Sequence, residues 1–174
     1  KPGGFLGADI QADASGYFRI GHIYPGQNWS ESFRSPLREP GVGVKEGEYI
    51  LAVDGVPTNS VQNFYQLLED KAGRVVRLTV NGKAALAGAR EVDVKTQSSE
   101  QDLRYLDWVE NRRAMVDKLS GGRIGYIHLP NTLFEGNREL FKQFPSQIAK
   151  AGPRLALHPV QADFEAIRQR ALAR

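Results

Sequence analysis

Residues 41–55, GVGVKEGEYILAVDG, join a glycine-rich apolar step, an acidic turn and a short apolar segment. The segment Tyr49–Val53 is apolar throughout, which is typical of a strand buried on both faces. The pair Asp54-Gly55 follows it directly, and this dipeptide favours a tight turn. These fifteen positions therefore predict a core strand held between two turns.

A helix is predicted over residues 60–71, directly after that turn. Asn59 or Ser60 can cap it, because their side chains accept hydrogen bonds from the free amides of a first helical turn. Gly73 is expected to end it in the left-handed conformation. The apolar side chains at helical spacing are Val61, Phe64, Leu67 and Leu68.

Short apolar or alternating segments on both sides indicate further strands, so the first hundred residues are expected to be mainly β. Residues 27–47 are polar and contain two prolines, which favours an ordered loop over disorder. The predicted strands are residues 5–10, 17–24, 74–82 and 90–95.

The pattern changes after Thr96, where helices become dominant. Ser98 or Ser99 can cap a helix whose apolar stripe runs from Leu103 to Leu119. The later predictions are a buried strand over 124–130, a helix over 135–144, a break around Pro145 and an amphipathic helix over 160–171.

Composition and charge exclude several classes of function. The net charge of +3 lies wholly in residues 145–174, so there is no basic stripe on the body that would bind nucleic acid. The chain has no cysteine and three scattered histidines, so no metal or other cofactor is expected. No apolar window approaches the roughly 18 residues of a membrane span, and a membrane is not an expected partner.

A Ser–His–Asp triad is not expected in this chain. His128 is the best candidate base, with Ser120 and Asp117 near it in sequence. However, His128 lies in an apolar segment, and no strained Gly-x-Ser-x-Gly turn occurs. The sequence therefore predicts no catalytic residue.

A glycine-rich turn, GGFLG at residues 3–7, precedes the first predicted strand. Glycine allows consecutive N–H groups to point the same way, so Gly4, Phe5, Leu6 and Gly7 can hold a carboxylate. The following strand is predicted to have a free edge, to which an extended peptide can add through main-chain hydrogen bonds. The alternative is an ordinary turn that leads into a strand.

The helix over 60–71 is the other half of the candidate peptide site. Phe64, Leu67 and Leu68 can line a groove beside the strand or pack in the core. A helix presents one stripe in each direction, so most of the three are expected in the core.

This order of glycine turn, core strand, tight turn and helix resembles the PDZ domain, with Glu48 where Asp is commoner. Several motifs more closely resemble the PDZ region of tricorn-type serine proteases, a family similar to the C-terminal-processing proteases. The resemblance covers roughly residues 3–144. The motifs are LGAD (6–9), SGYFRI (15–20), NW (28–29), RSPL (34–37), EPGV (39–42), ILAVDG (50–55), LRY (103–105) and GRIGYIHLP (122–130).

The resemblance implies a mainly β fold with flanking helices: a PDZ-like, partly open β-sandwich or barrel followed by an α/β fragment. It assigns residues 1–97 to the PDZ-like domain and residues 98–144 to a helix–strand–helix segment that opens the catalytic domain. Residues 145–174 are expected to form a basic helical tail, which does not resemble the family and whose origin stays open. In that family the histidine base precedes the PDZ region and the nucleophilic serine follows it, so no catalytic role carries over.

The implied function is a non-catalytic, peptide-binding or gating part of a tricorn-like serine protease that hydrolyses oligopeptides or unfolded chains. The expected partners are peptide or protein C-termini and neighbouring domains of the parent protease, and a homo-oligomer formed through the parent protein is compatible with this. The alternative is a stand-alone PDZ adaptor that binds the C-terminus of another protein. A cytoplasmic location is expected, with the periplasm as the alternative, because a removed signal peptide leaves no trace.

Overall fold

The computed structural model describes residues 2–27 and 30–151. The strands are β1 (Ala8–Ala12), β2 (Phe18–Ile23), β3 (Tyr49–Val53), β4 (Val56–Pro57), β5 (Val75–Asn81) and β6 (Arg90–Lys95). The helices are α1 (Gln101–Ser120) and α2 (Phe134–Ala151), with short 3₁₀-helices at Glu31–Phe33, Pro36–Arg38, Thr58–Ser60 and Phe64–Leu68. The expected fold class, mainly β with flanking helices, is confirmed.

The six strands form one open antiparallel sheet in the order β1-β2-β3-β5-β6, with β4 paired to β3. The β3 strand lies at the centre, as its apolar sequence predicts, and Ile50 and Val53 are fully buried. The β5 strand alternates, with Val76, Leu78 and Val80 in the core and the residues between them more exposed. The period of two places a single apolar face against the core.

The core is completed from outside the sheet by Leu6, Leu37 and the 3₁₀-helix Phe64–Leu68. The ring of Phe64 packs 5.5 Å from that of Phe18 on β2, in a tilted arrangement. The loop over 27–47 is ordered where it is described, since Leu37 is 1% exposed within Pro36–Arg38.

The first strand begins at Ala8 rather than at residue 5, and Phe5 pairs instead with Gln97 in an isolated antiparallel bridge. Phe5 N donates to Gln97 O at 2.9 Å, and Gln97 N donates to Phe5 O at 3.0 Å. The turn before β1 is thereby tied to the segment that follows β6.

The helix predicted over 60–71 is wrong in length and type. Thr58–Ser60 and Phe64–Leu68 are separate 3₁₀-helices, because Val61 and Asn63 between them are extended. Asn63, rather than Asn59 or Ser60, is the cap, and its side chain accepts from Tyr65 N at 3.0 Å. Gly73 has the predicted left-handed conformation, at φ 69°, although it lies beyond the helix end.

The described chain divides inside α1 into two compact units, one ending at Glu110 and the other starting at Asn111. The helix begins as predicted after Ser99, whose Oγ accepts from Gln101 N at 3.2 Å. The predicted boundaries at residues 97 and 144 stay predictions.

The second unit corrects two predictions. Residues 124–130 do not form a strand, since no strand in the described part of the chain pairs with them, and Tyr126 N donates to the side chain of Gln147. The α2 helix does not break at Pro145 but continues to Ala151. The helix predicted over 160–171, most of the predicted tail and Trp29 of the NW motif lie outside the described residues.

Candidate functional site

The amides of Gly4 and Phe5 are engaged within the protein. Gly4 N donates to Leu68 O at 2.8 Å, and Phe5 N donates to Gln97 O at 2.9 Å. Backbone N–H groups that are already paired are not available to a ligand oxygen. These two amides are therefore not free to hold a carboxylate, and the role of Gly4, Phe5, Leu6 and Gly7 in peptide binding stays a prediction.

Leu6 and Gly7 form the inner part of the turn. The Leu6 side chain is 2% exposed and belongs to the core. Gly7 has φ 73°, and a Cβ added there would lie 2.8 Å from Pro36 Cδ and 3.2 Å from Leu103 Cδ1. Only glycine satisfies both the left-handed conformation and this close approach of neighbouring chain.

The three apolar residues of the 3₁₀-helix divide between the two predicted roles. Phe64 and Leu68 are core residues, at 2% and 0% exposure. Leu67 is half-buried and packs against the edge of the core. Leu67 is therefore the member of this set that remains a candidate for a groove wall, together with the half-buried Val61 and Tyr65.

The outer edge of β1 has main-chain groups that point away from the sheet. Ile20 of β2 pairs with Ile10 of β1, but its N–H donates to Glu48 O and its carbonyl accepts from Gly47 N, both on the β3 side. Ile10 and Ile20 are therefore a non-hydrogen-bonded pair, so the N–H and C=O of Ile10 point outward. Ala12 lies two residues further along β1, so its N–H and C=O point outward as well. The β1 strand is an edge strand of the described sheet.

A charged cluster beside the glycine turn was not predicted from the sequence. Arg104 donates to Glu100 Oε1 from Nε at 2.9 Å and from Nη2 at 2.6 Å, and its Nη1 donates to Asp9 Oδ1 at 3.0 Å. The guanidinium also lies over the ring of Tyr24, 4.9 Å from its centroid. The four-residue spacing of Glu100 and Arg104 could have predicted their ion pair. The ion pair between Arg104 and Asp9 could not be predicted, because the two residues are far apart in the sequence.

Burial is the largest influence on the pKa of Glu100. Desolvation raises the pKa of this carboxyl group, while Arg104 and the amide of Gly7 oppose the rise by favouring the charged form. Glu100 Oε2 is buried and has no hydrogen-bond partner of normal geometry. The neighbouring Tyr24 hydroxyl donates to Asp9 Oδ1 at 2.6 Å, and burial raises its pKa.

A second unpredicted cluster is centred on His22 of β2. Its Nδ1 lies 2.9 Å from Glu46 Oε1, and its Nε2 lies 2.9 Å from Asp107 Oδ1 on α1. Glu46 Oε1 also accepts from Ile23 N at 2.8 Å. The hydrogen bond to Asp107 is the largest cause of a raised pKa at His22, against the opposing effect of burial.

The residues considered for catalysis do not assemble into a triad. Ser120 Oγ donates to Asp117 O at 3.4 Å and accepts from Ile124 N at 3.2 Å, within its own helix end. Burial lowers the pKa of His128. Within residues 2–27 and 30–151, no group of three or more His, Asp or Glu side chains is placed to hold a metal ion. No helix in that same part is both long enough and apolar enough to cross a bilayer.

The sequence of the chain matches one protein family. The family model described as the tricorn protease PDZ domain matches residues 4–99. The chain is 36% identical over 149 residues to tricorn protease homolog 1 of Streptomyces coelicolor, covering 86% of this chain and 14% of that protein. It is 30% identical over 149 residues to the tricorn protease of Thermoplasma acidophilum, with the same coverage.

A solved structure agrees with the sequence comparisons. The crystal structure of the tricorn protease superposes with a TM-score of 0.68 at 29% identity, over 82% of this chain and 14% of that one. The chain spans about a seventh of the length of these curated relatives. The sequence resemblance is confirmed, and the chain belongs to the tricorn protease PDZ domain family.

Proposed function

We propose that the first unit is the non-catalytic peptide-binding module of a tricorn-like serine protease. In this proposal it holds an extended segment of a protein substrate along the outer edge of β1 and so gates its access to the catalytic part of the parent protein. Cleavage of oligopeptides or unfolded chains would be carried out by that other part. The observation that carries the proposal is the pair of outward-facing main-chain positions, Ile10 and Ala12, on a strand that ends the sheet.

Half-buried apolar side chains next to the core support a peptide-binding role. Four such residues pack against the core cluster: Ile10 on β1, Val61, Tyr65 and Leu67. An added strand would gain affinity from main-chain hydrogen bonds and selectivity from contacts with such side chains. The family membership supplies the protease context, since the curated relatives are named as tricorn proteases or their homologues.

The test blocks one outward N–H. In Ala12→Pro, the proline removes the outward donor at an exposed position, and proline is tolerated on the free side of an edge strand. Binding of short unstructured peptides, labelled for fluorescence anisotropy, should weaken by about fivefold, which corresponds to the net loss of one hydrogen bond of about 1 kcal/mol.

Ala12→Val is the matched control, since it changes the side chain but keeps the N–H donor. It should bind within about twofold of the parent chain. Equal binding by Ala12→Pro and Ala12→Val would reject the β1 edge as the peptide site. If the parent chain itself binds no peptide, the module is a structural spacer.

A further inference from the structure

Glu100 is the one charged side chain that is buried in the part of the chain the structure describes, with 6% of its surface exposed. It lies directly before α1, at a helix start where an acid normally faces water. A buried carboxylate is expensive unless other groups compensate for the lost water. The groups around Glu100 therefore show what this carboxylate does.

The compensating groups are those that a bound carboxylate would use. Arg104 makes two hydrogen bonds to Glu100 Oε1 and a third to Asp9 of β1. The amide of Gly7 favours the charged form of Glu100 from the glycine turn itself. The start of α1 also lies against the glycine turn itself, since Leu103 is 1% exposed and its Cδ1 lies 3.2 Å from the position of a Cβ on Gly7.

We propose that Glu100 fills the position of a ligand carboxylate at the glycine turn, so that the β1 edge accepts internal segments of a protein and does not select a free C-terminus. This inference rests on the proposed function and adds the class of ligand. Gly4 N donates to Leu68 O and Phe5 N donates to Gln97 O, so these two turn amides are already engaged by the protein itself.

The charges around the glycine turn also disfavour binding of a free C-terminus. A terminal carboxylate that approached the turn would meet the buried acid Glu100 and the nearby Asp9, and like charges at short range repel. Arg104 is the nearest cation of this cluster, and it is already bonded to both acids. An internal segment brings no terminal charge and avoids this repulsion.

The experiment compares two forms of each peptide, one with a free C-terminal acid and one with a C-terminal amide. The parent chain should bind the two forms with dissociation constants within about twofold of each other. Glu100→Ala removes the internal carboxylate and leaves the Arg104 guanidinium to a ligand. This variant should therefore bind the free acid about tenfold or more tightly than the amide, because hydrogen bonds to a charged group are usually strong enough to give such a ratio.

Two further variants separate charge from folding. Glu100→Gln keeps the size of the side chain and removes its charge, so it should shift the ratio of the two dissociation constants toward the free acid. Asp102→Ala removes an exposed acid from the first turn of α1 and should leave that ratio unchanged. Circular dichroism on each variant establishes that the ratio is measured on a folded protein.

A small probe tests the same position without any peptide. Propionate should raise the melting temperature of Glu100→Ala and leave that of the parent chain unchanged. Preference of the parent chain for the free acid by tenfold would overturn the inference while leaving the proposed function intact. If neither peptide form binds any variant, the proposed function fails, and the propionate measurement alone decides whether Glu100 fills a carboxylate site.

Discussion

His22 is a single residue through which pH acts on the fold. It bridges Glu46 and Asp107, and the bond to Asp107 is the main cause of its raised pKa. The folded state therefore holds the proton more tightly than the unfolded chain does. The resulting stabilisation is complete below the unfolded pKa of about 6.5 and is lost as the pH rises through the higher folded value.

We expect the melting temperature of the first unit to fall as the pH rises above about 6.5 because of this residue. His22→Gln should reduce that fall, measured by thermal denaturation at a series of pH values. Glu46 does not interfere, since its pKa is lowered and its contribution is lost only under more acidic conditions. His128→Gln is the control, because His128 lies in the second unit and burial lowers its pKa, so its removal should not reduce the fall. Identical pH profiles for His22→Gln and the parent chain would contradict this account.

Gly7 is a second residue on which the stability of the fold depends, because its position requires glycine. Gly7→Ala places a methyl group 2.8 Å from Pro36 in a left-handed conformation, so both backbone strain and overpacking oppose it. We expect a loss of about 2–4 kcal/mol in the free energy of unfolding, measured by urea denaturation. Gly41→Ala is the matched control: Gly41 has φ 89° but no atom near a new Cβ, so only the strain of about 1 kcal/mol applies. Equal losses would show that packing around Gly7 is looser than described.

The burial of Glu100 could not be predicted from the sequence, and the reason is physical. An acid at the start of a helix is favoured by the helix dipole whether it is exposed or buried. Glu100 is buried where the start of α1 lies close to the glycine turn, as the approach of Leu103 to Gly7 shows, and these two segments are far apart in the chain. The same holds for His22, whose partner Asp107 lies on a different element.

At the scale of elements, the short 3₁₀-helix Phe64–Leu68 supports the core through a few side chains. Leu68→Ala removes a fully buried side chain and should cost about 2–5 kcal/mol in the free energy of unfolding, as large-to-small core substitutions do. Leu67→Ala, on the same helix but half-buried, should cost about 1 kcal/mol. Chemical denaturation of the two variants tests this order, and a larger loss for Leu67→Ala would reverse the assignment of core and groove.

The sequence predicted those elements whose apolar pattern reports burial directly. The strand Tyr49–Val53 was predicted at its observed bounds, since a continuous apolar segment needs a buried position, and Arg90–Lys95 was predicted from its alternation. The prediction of a helix over 60–71 failed, because helical spacing cannot show that Val61 and Asn63 are extended. The strand over 124–130 failed, because an apolar segment forms a strand only beside another strand.

At the scale of the whole molecule, the clearest prediction concerns chemistry. The purified 174-residue chain should not cleave a fluorogenic peptide and should not be labelled by a serine-reactive phosphonate. The reason is that Ser120, the serine weighed against His128, is held by hydrogen bonds at its own helix end. A full-length tricorn protease is the positive control, and hydrolysis by this chain that the phosphonate abolishes would contradict the prediction.

The bridge between Phe5 and Gln97 brings two distant points of the polypeptide together. Hydrogen-bonded antiparallel partners have Cα atoms about 5.5 Å apart, so the chain enters and leaves the β-region at nearly one place. A region with this geometry can be inserted into a longer polypeptide as a side loop, without forcing apart the segments on either side. It can also be exchanged for the corresponding region of a relative through two adjacent junctions, which makes this bridge a natural seam for building chimaeras.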